Sequence, residues 1–196
     1  MIMDYCIGRQ ELERTLKIWD ELIPGRGKVH LVACGGTALT LMGYKESTKD
    51  VDFLVPGVVE YERLMGFLQR AGYKRATQFG WMREGETILF DLYPGKRVYT
   101  TELLDSPLDR GRCRKWNEWK KIFVGILNPM DLMISKMFRG TETDIQDCLL
   151  LISKGKINRA KFEARYRETA QYEISEAKVL KNLSLLLKRW KEGAKP

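Results

Sequence analysis

The residues of this chain best suited to chemistry are two carboxylates spaced two apart, in Asp50-Val51-Asp52-Phe53. A strand repeats every two residues, so Asp50 and Asp52 would share one face of it. Carboxylates held side by side repel each other unless a cation stands between them, and hard oxygen donors at this spacing suit Mg²⁺. Thirteen residues separate Asp50 from Gly36 in the run Cys34-Gly35-Gly36-Thr37-Ala38-Leu39. Small residues at a helix start let backbone N–H groups approach an anion. The two features together predict a site for a metal–nucleoside triphosphate. Each also has a plainer explanation: polar residues alternating with Val51, Phe53 and Val55 on a half-exposed strand, and an ordinary strand-to-helix turn.

A third carboxylate, Asp91, interrupts the apolar run Ile88-Leu89-Phe90-Asp91-Leu92-Tyr93. A buried carboxylate is costly, so such a residue has a partner or borders a site. On a strand beside the first it would bring three carboxylates together. Three would be enough to hold one or two Mg²⁺ ions and to activate a hydroxyl for attack at phosphorus. The alternative is an exposed strand end just before Pro94-Gly95.

The elements that must position these groups follow from periodicity. Leu12, Leu16, Trp19 and Leu22 have helical spacing over 9–22, ended by Pro24-Gly25. Residues 28–34 read as a short buried strand, 37–42 as a short helix closing at Gly43, and 49–55 as a second strand. A helix over 60–71 ends at Gly72. Strands are expected at 74–83 and 87–93, joined through Glu84-Gly85-Glu86, and at 121–127. Residues 100–117 carry Pro107, Gly111 and many charges without a clean period and read as loop. Helices are expected at 129–138, 142–153, 159–170 and 173–190. The fold class predicted is α+β: a mixed β-sheet flanked by helices over 1–128, and a helical C-terminal region over 129–196 packed on that core.

With 196 residues, 44% hydrophobic and 31% charged, the chain has the composition of one globular core with a helical appendage. No apolar run approaches the ~20 residues of a membrane span. Met1-Ile2-Met3-Asp4-Tyr5 has neither a basic start nor a signal-peptide core, so no leader and no membrane are expected. Cys6, Cys34, Cys113 and Cys148 are widely spaced with no C-x-x-C pair, which disfavours zinc and a disulfide framework and predicts a reducing, cytoplasmic setting. His30 is the single histidine, which excludes His-cluster metal sites and disfavours a Ser-His-Asp mechanism. The net charge of +8 is uneven: residues 151–196 hold 12 Lys+Arg against 5 Asp+Glu. That end either attracts a polyanion such as RNA or is a solvated basic face. The segment 110–121, with four basic residues before Trp116 and Trp119, either grips RNA or is a surface loop with its tryptophans tucked inward.

In its spacing, Gly35-Gly36-Thr37-Ala38-Leu39…Asp50-Val51-Asp52-Phe53 resembles the signature of the nucleotidyltransferase (DNA polymerase β-like) superfamily, in particular the branch with the abortive-infection AbiEii-type toxins and related minimal enzymes. Asp91 matches the third carboxylate of that branch. The block Asn128-Pro129-Met130-Asp131-Leu132…Lys136…Arg139…Asp144…Asp147 resembles its helical motif, so the resemblance spans roughly residues 29–150. It implies Mg²⁺-dependent transfer of a nucleoside monophosphate from an NTP to a hydroxyl on tRNA or protein, with a cognate toxin or antitoxin as a partner. An inactive regulatory or RNA-binding protein of the same fold is the alternative. By this resemblance Asp50, Asp52 and Asp91 would bind the metals, with Asp91 also helping to deprotonate the acceptor. Gly35, Gly36 and Thr37 would cradle the β/γ-phosphates. Lys136 would offset phosphate charge, and Asp144 or Asp147 would orient it or contact the nucleotide. Lys136 could equally lie on a solvated helix face. The family's Arg shortly before Asp-x-Asp is missing; Lys45 and Lys49 stand in that stretch.

Overall fold

The computed structural model describes residues 6–193. In chain order the elements are β1 (Ile7–Gly8), α1 (Arg9–Leu22), β2 (Val29–Ala33), α2 (Gly35–Leu41), β3 (Ser47–Thr48), β4 (Asp50–Val55), α3 (Val58–Arg70), β5 (Tyr73–Arg75) and β6 (Gly80–Arg83). Then follow β7 (Leu89–Pro94), β8 (Arg97–Val98), β9 (Thr101–Glu102), β10 (Cys113–Glu118) and β11 (Ile122–Leu127). The chain ends in α4 (Pro129–Arg139), α5 (Glu142–Lys154), α6 (Arg159–Ala170) and α7 (Glu176–Gly193). The Met1–Tyr5 reading lies outside the described residues. Among the described residues, no helix is long and apolar enough to cross a membrane.

Two compact units divide these elements. The first comprises the chain through Lys96 together with Asp105–Leu127; the second comprises Arg97–Leu104 and the chain from Asn128. A single cut near residue 128 does not describe this, because the short β8–β9 hairpin groups with the C-terminal helices.

The first unit holds a seven-stranded mixed sheet in the order β10-β11-β2-β4-β7-β6-β5. The central pair β4 and β7 runs parallel, as do β11 and β2; β2 runs antiparallel to β4, and β6 to β7. Helix α1 covers one face through Leu12, Leu16 and Trp19, all buried. The Trp19 ring lies 4.7 Å from Phe90, and its Nε1 donates to the Tyr73 hydroxyl at 3.3 Å. Asp20 anchors the same helix: its Oδ1 accepts the Lys121 and Ile122 N–H groups at 2.6 and 2.7 Å, at the start of β11. Phe90 on that covered face puts its neighbour Asp91 on the opposite one.

Two expectations are corrected. The single strand over 74–83 is a hairpin, β5 and β6, because the chain reverses at 76–79. There the Ala76 N–H donates to the Gly80 carbonyl at 2.8 Å and the Gly80 N–H to Thr77 Oγ1 at 2.8 Å. The loop expected over 100–117 contains β9 and most of β10. Strand β10 escapes a hydrophobic-pattern reading because it is a sheet edge, where Arg114 and Lys115 are exposed, Asn117 donates to Glu13 and Glu118 pairs with Lys115 and Lys28. Trp116 and Trp119 are half-buried there, edge to face at 6.3 Å, with Arg9 over the Trp116 ring.

In the second unit each of the first three helices starts on a polar cap. Asn128 Oδ1 accepts the Asp131 N–H at 3.0 Å, Thr141 and Asp144 form a reciprocal capping box, and Asn158 accepts the Lys161 N–H at 2.9 Å. Pro129 stands in the first turn of α4, and Gly140, in the left-handed region at φ 71°, ends it.

Candidate active site

Parallel pairing sets Asp52 directly opposite Asp91, with Asp50 one step away opposite Leu89. All three carboxylates therefore rise from one face of two neighbouring strands. Asp50 is exposed, whereas Asp52 and Asp91 are 5% and 8% exposed. Asp91 is thus not an exposed strand end. Like charges directly opposite on adjacent strands are destabilising, and this pair sits close to the middle of the sheet. Burial raises the Asp91 carboxyl above its ordinary range, the charge of Asp50 raises it further, and a hydrogen bond from the Thr77 hydroxyl partly offsets both. The single proton of that hydroxyl is available for Asp91 because the Thr77 oxygen already accepts the Gly80 N–H.

The glycines make room for these side chains. Gly35 has φ +55°, and a Cβ on it would meet Asp52 Oδ2 at 2.1 Å. The Asp52 carboxylate lies where that side chain would be, over the start of α2. A Cβ on Gly36 would meet Thr48 Oγ1 at 2.5 Å, and Thr48 Oγ1 donates to the Asp50 carbonyl at 2.9 Å. On the far side, Gly80 pairs with Asp91, and a Cβ there would meet Asp91 Oδ1 at 3.0 Å. The Tyr93 hydroxyl donates to Asp52 Oδ1 at 3.4 Å, and Phe79 packs on the Tyr93 ring at 5.1 Å.

Thr37 is fully buried and ties α2 to β4. Its Oγ1 accepts the Asp52 N–H at 2.8 Å and donates to the Asp50 carbonyl at 3.3 Å. With that hydroxyl engaged, what Thr37 offers a phosphate is its backbone N–H, in the first turn where helical N–H groups have no intrahelical acceptor.

Among the described residues, no group of three His, Cys, Asp or Glu side chains is gathered as a metal-ligand set. Mg²⁺ is commonly held by one or two carboxylates with waters and substrate phosphates rather than by an all-protein cage. Hard oxygen donors from Asp52 and Asp91, on one face of adjacent strands with Asp50 beside them, fit that mode.

The second unit brings Lys136, Asp144 and Asp147 together. Lys136 is 3% exposed, so the solvated-face alternative is wrong for it. Its Nζ lies 2.8 Å from Asp147 Oδ2 and 3.9 Å from Asp144 Oδ1. Asp144 accepts a two-pronged contact from Arg139, at 2.8 and 2.6 Å, as well as the Thr141 hydroxyl at 2.6 Å. Burial works to raise the Asp144 carboxyl, but these hydrogen bonds outweigh it and hold it below the usual range. Arg139 also lies over the Tyr99 ring at 5.1 Å, and Tyr99 is the one described non-glycine residue at positive φ. Asp147 therefore orients Lys136, while Asp144 serves the helix cap and Arg139.

Sequence reasoning missed Thr77, Gly80 and Tyr93 around the carboxylates, and gave Arg139, part of the helical block, no role beside Asp144. Gly80 carried a signal, since a lone glycine within a strand pattern marks close approach of another group. Tyr93 carried another, standing two residues from Asp91 on the same face. Nothing local marked Thr77.

No protein-family model matches the chain, and no curated protein matches it in sequence. A crystal structure of an antigenic nucleotidyltransferase-like protein from Paracoccidioides brasiliensis is similar over 91% of this chain and 95% of that one. Sequence identity is 15% and the TM-score 0.48. What this chain does is therefore read from its own residues.

Proposed function

We propose that the first unit is the core of a Mg²⁺-dependent nucleotidyltransferase, moving a nucleoside monophosphate from an NTP to a hydroxyl on tRNA or protein. The observation that carries this reading is Asp52 opposite Asp91 on adjacent parallel strands, with the Asp52 carboxylate filling the space left by Gly35. Two nearly buried like charges facing each other cost stability, and a cation between them is what offsets that cost.

Asp50, Asp52 and Asp91 are the residues that would hold Mg²⁺. Bound there, the ion supplies charge neutralisation for the triphosphate and for the pyrophosphate that leaves. The acceptor oxygen forms its bond to the α-phosphorus as the bond to pyrophosphate breaks, and the acceptor's proton passes to a carboxylate oxygen of Asp91. A carboxylate beside the metal is a workable base for that step. Tyr93 and Thr77 keep Asp52 and Asp91 in place by donating to them. The N–H groups of Gly35, Gly36 and Thr37 would meet the β/γ-phosphates. A role for Lys136, Asp144 and Asp147 toward the nucleotide rests on the sequence resemblance alone. The AbiEii-type branch, with a toxin or antitoxin partner, rests on the sequence resemblance alone.

The test is incubation with each α-labelled NTP in turn, Mg²⁺, total tRNA and cell lysate, followed by identification of the labelled species. The reading expects label to enter RNA or protein with the wild type and to disappear in the double variant Asp50→Asn/Asp52→Asn. Equal labelling by that variant would overturn it. A second reading, an inactive regulatory or RNA-binding protein of this fold, is favoured by one observation: among the described residues the acidic side chains are not gathered as a three-ligand set. It expects no label with any NTP.

A further inference from the structure

The structure sorts the basic residues of the C-terminal region into two kinds. Its arginines are committed within the second unit. Arg165 pairs with Asp131 at 2.6 Å, Arg167 with Glu163 at 2.8 Å and Arg189 with Glu142 at 2.5 Å, while Arg159 lies over the Trp190 ring at 6.0 Å. The lysines are different. Lys178, Lys181, Lys188 and Lys191 on α7 are exposed, and among the described residues none of them stands in an ion pair.

At 3.6 residues per turn these four lysines fall within roughly 140° of one another and extend over about 20 Å of helix. Val179, Leu183 and Leu186 centre on the opposite side and are buried. Of the two acids of α7, Glu192 shares the lysine arc and Glu176 does not. Helix α6 runs back along α7, since the Tyr166 hydroxyl donates to the Val179 carbonyl at 2.8 Å and Phe162 lies 6.1 Å from Trp190. Exposed Lys156 and Lys161 therefore add charge at the Lys188–Lys191 end.

We infer that this lysine stripe of α7 is a binding surface for the phosphodiester backbone of a nucleic acid. Three features select that partner. A linear row of ammonium groups, with Leu185 the one exposed large apolar side chain in the arc, matches a row of phosphates, where lysine contacts supply the affinity. Protein interfaces are depleted in lysine, so an acidic protein is a poorer fit. A helix that lies on a membrane presents its apolar face to lipid, and here that face is buried in the unit. The inference does not depend on nucleotidyl transfer and stands or falls separately from it.

The experiment is fluorescence anisotropy of the full chain with labelled single-stranded RNA, duplex RNA and duplex DNA, over a salt series. Four lysine contacts on a single strand predict a log–log salt slope of about −2.8, which is roughly a 50-fold loss of affinity for a fourfold rise in salt. The variant Lys178→Gln/Lys181→Gln/Lys188→Gln/Lys191→Gln keeps good helix formers and should lose most of both the affinity and the slope. A control removing equal charge elsewhere, Arg14→Gln/Lys17→Gln/Arg70→Gln/Lys74→Gln, should retain them. Whichever nucleic acid shows this pattern identifies the source of the phosphates. The inference is overturned by no binding at low salt, by equal losses in both variants, or by stripe-dependent binding to anionic vesicles with none to nucleic acid. Circular dichroism separates loss of binding from loss of α7.

Discussion

Substituting alanine for Gly35 combines two costs that can be read from the structure. The backbone there is left-handed, at φ +55°, which for a residue with a Cβ costs roughly 1–2 kcal/mol. The new Cβ would also stand 2.1 Å from Asp52 Oδ2, so the carboxylate must retreat by about 1.3 Å to reach an ordinary contact of 3.4 Å. It cannot do so freely, because the Asp52 N–H is held by Thr37 and Tyr93 contacts its Oδ1. The backbone term alone lowers the melting temperature by roughly 2–8 °C for a chain of this size. A displacement of about 1 Å in a reacting group costs on the order of 10²-fold in turnover. Gly36→Ala is the matched control. Gly36 is not at positive φ, and its Cβ would meet only the Thr48 side chain within hard-contact range, so Thr48→Ala should relieve it. For Gly35→Ala, a second substitution, Asp52→Ala, should relieve most of the contact but leave the backbone cost. Thermal unfolding measures the first cost, and Mn²⁺ titration by paramagnetic resonance, beside the labelling assay, measures the second. Wild-type stability together with wild-type Mn²⁺ affinity in Gly35→Ala would refute the account of why glycine stands there.

Two further expectations concern buried charge. Burial and then the Asp50 charge hold the Asp91 carboxyl above its ordinary value, so the native state binds that proton more tightly than the unfolded chain does. Its contribution to stability therefore falls as pH rises from the ordinary value through the raised one. Asp91→Asn should remove that slope and raise the urea midpoint at neutral pH while abolishing labelling; a lower midpoint at neutral pH would contradict this. In the second unit, Lys136→Met would leave Asp147 buried without its ammonium partner, a loss of about 3–5 kcal/mol. Lys136→Met/Asp147→Leu should recover most of it, as chemical denaturation would show; a double variant as unstable as the single one would count against the pairing.

Much of the scaffold was legible because its signals are local. Helical spacing marked α1, and glycine and proline punctuation marked the ends of most strands and helices. The short apolar runs of β2 and β11 could be read as strands without knowing their neighbours. The hairpin at 76–79 and the edge strand β10 were not legible. The first depends on a Thr77 side chain closing a turn, and the second on pairing with β11, which supplies hydrogen bonds where the sequence supplies no hydrophobic alternation.

The candidate site divides the same way. The sequence by itself determined that Asp50 and Asp52 share a face, that Asp91 interrupts an apolar run, and that a glycine pair precedes a short helix. These follow from spacing along one segment. Only the tertiary structure decided that Asp91 stands opposite Asp52 rather than one residue out of register, which would have turned it to the other face. Only the structure decided that Gly35 is the space Asp52 occupies, and that Lys136 is a buried partner of Asp147 rather than a solvated cation. Strand register and burial are set by contacts between segments far apart in the chain, and no local pattern encodes which segments will meet.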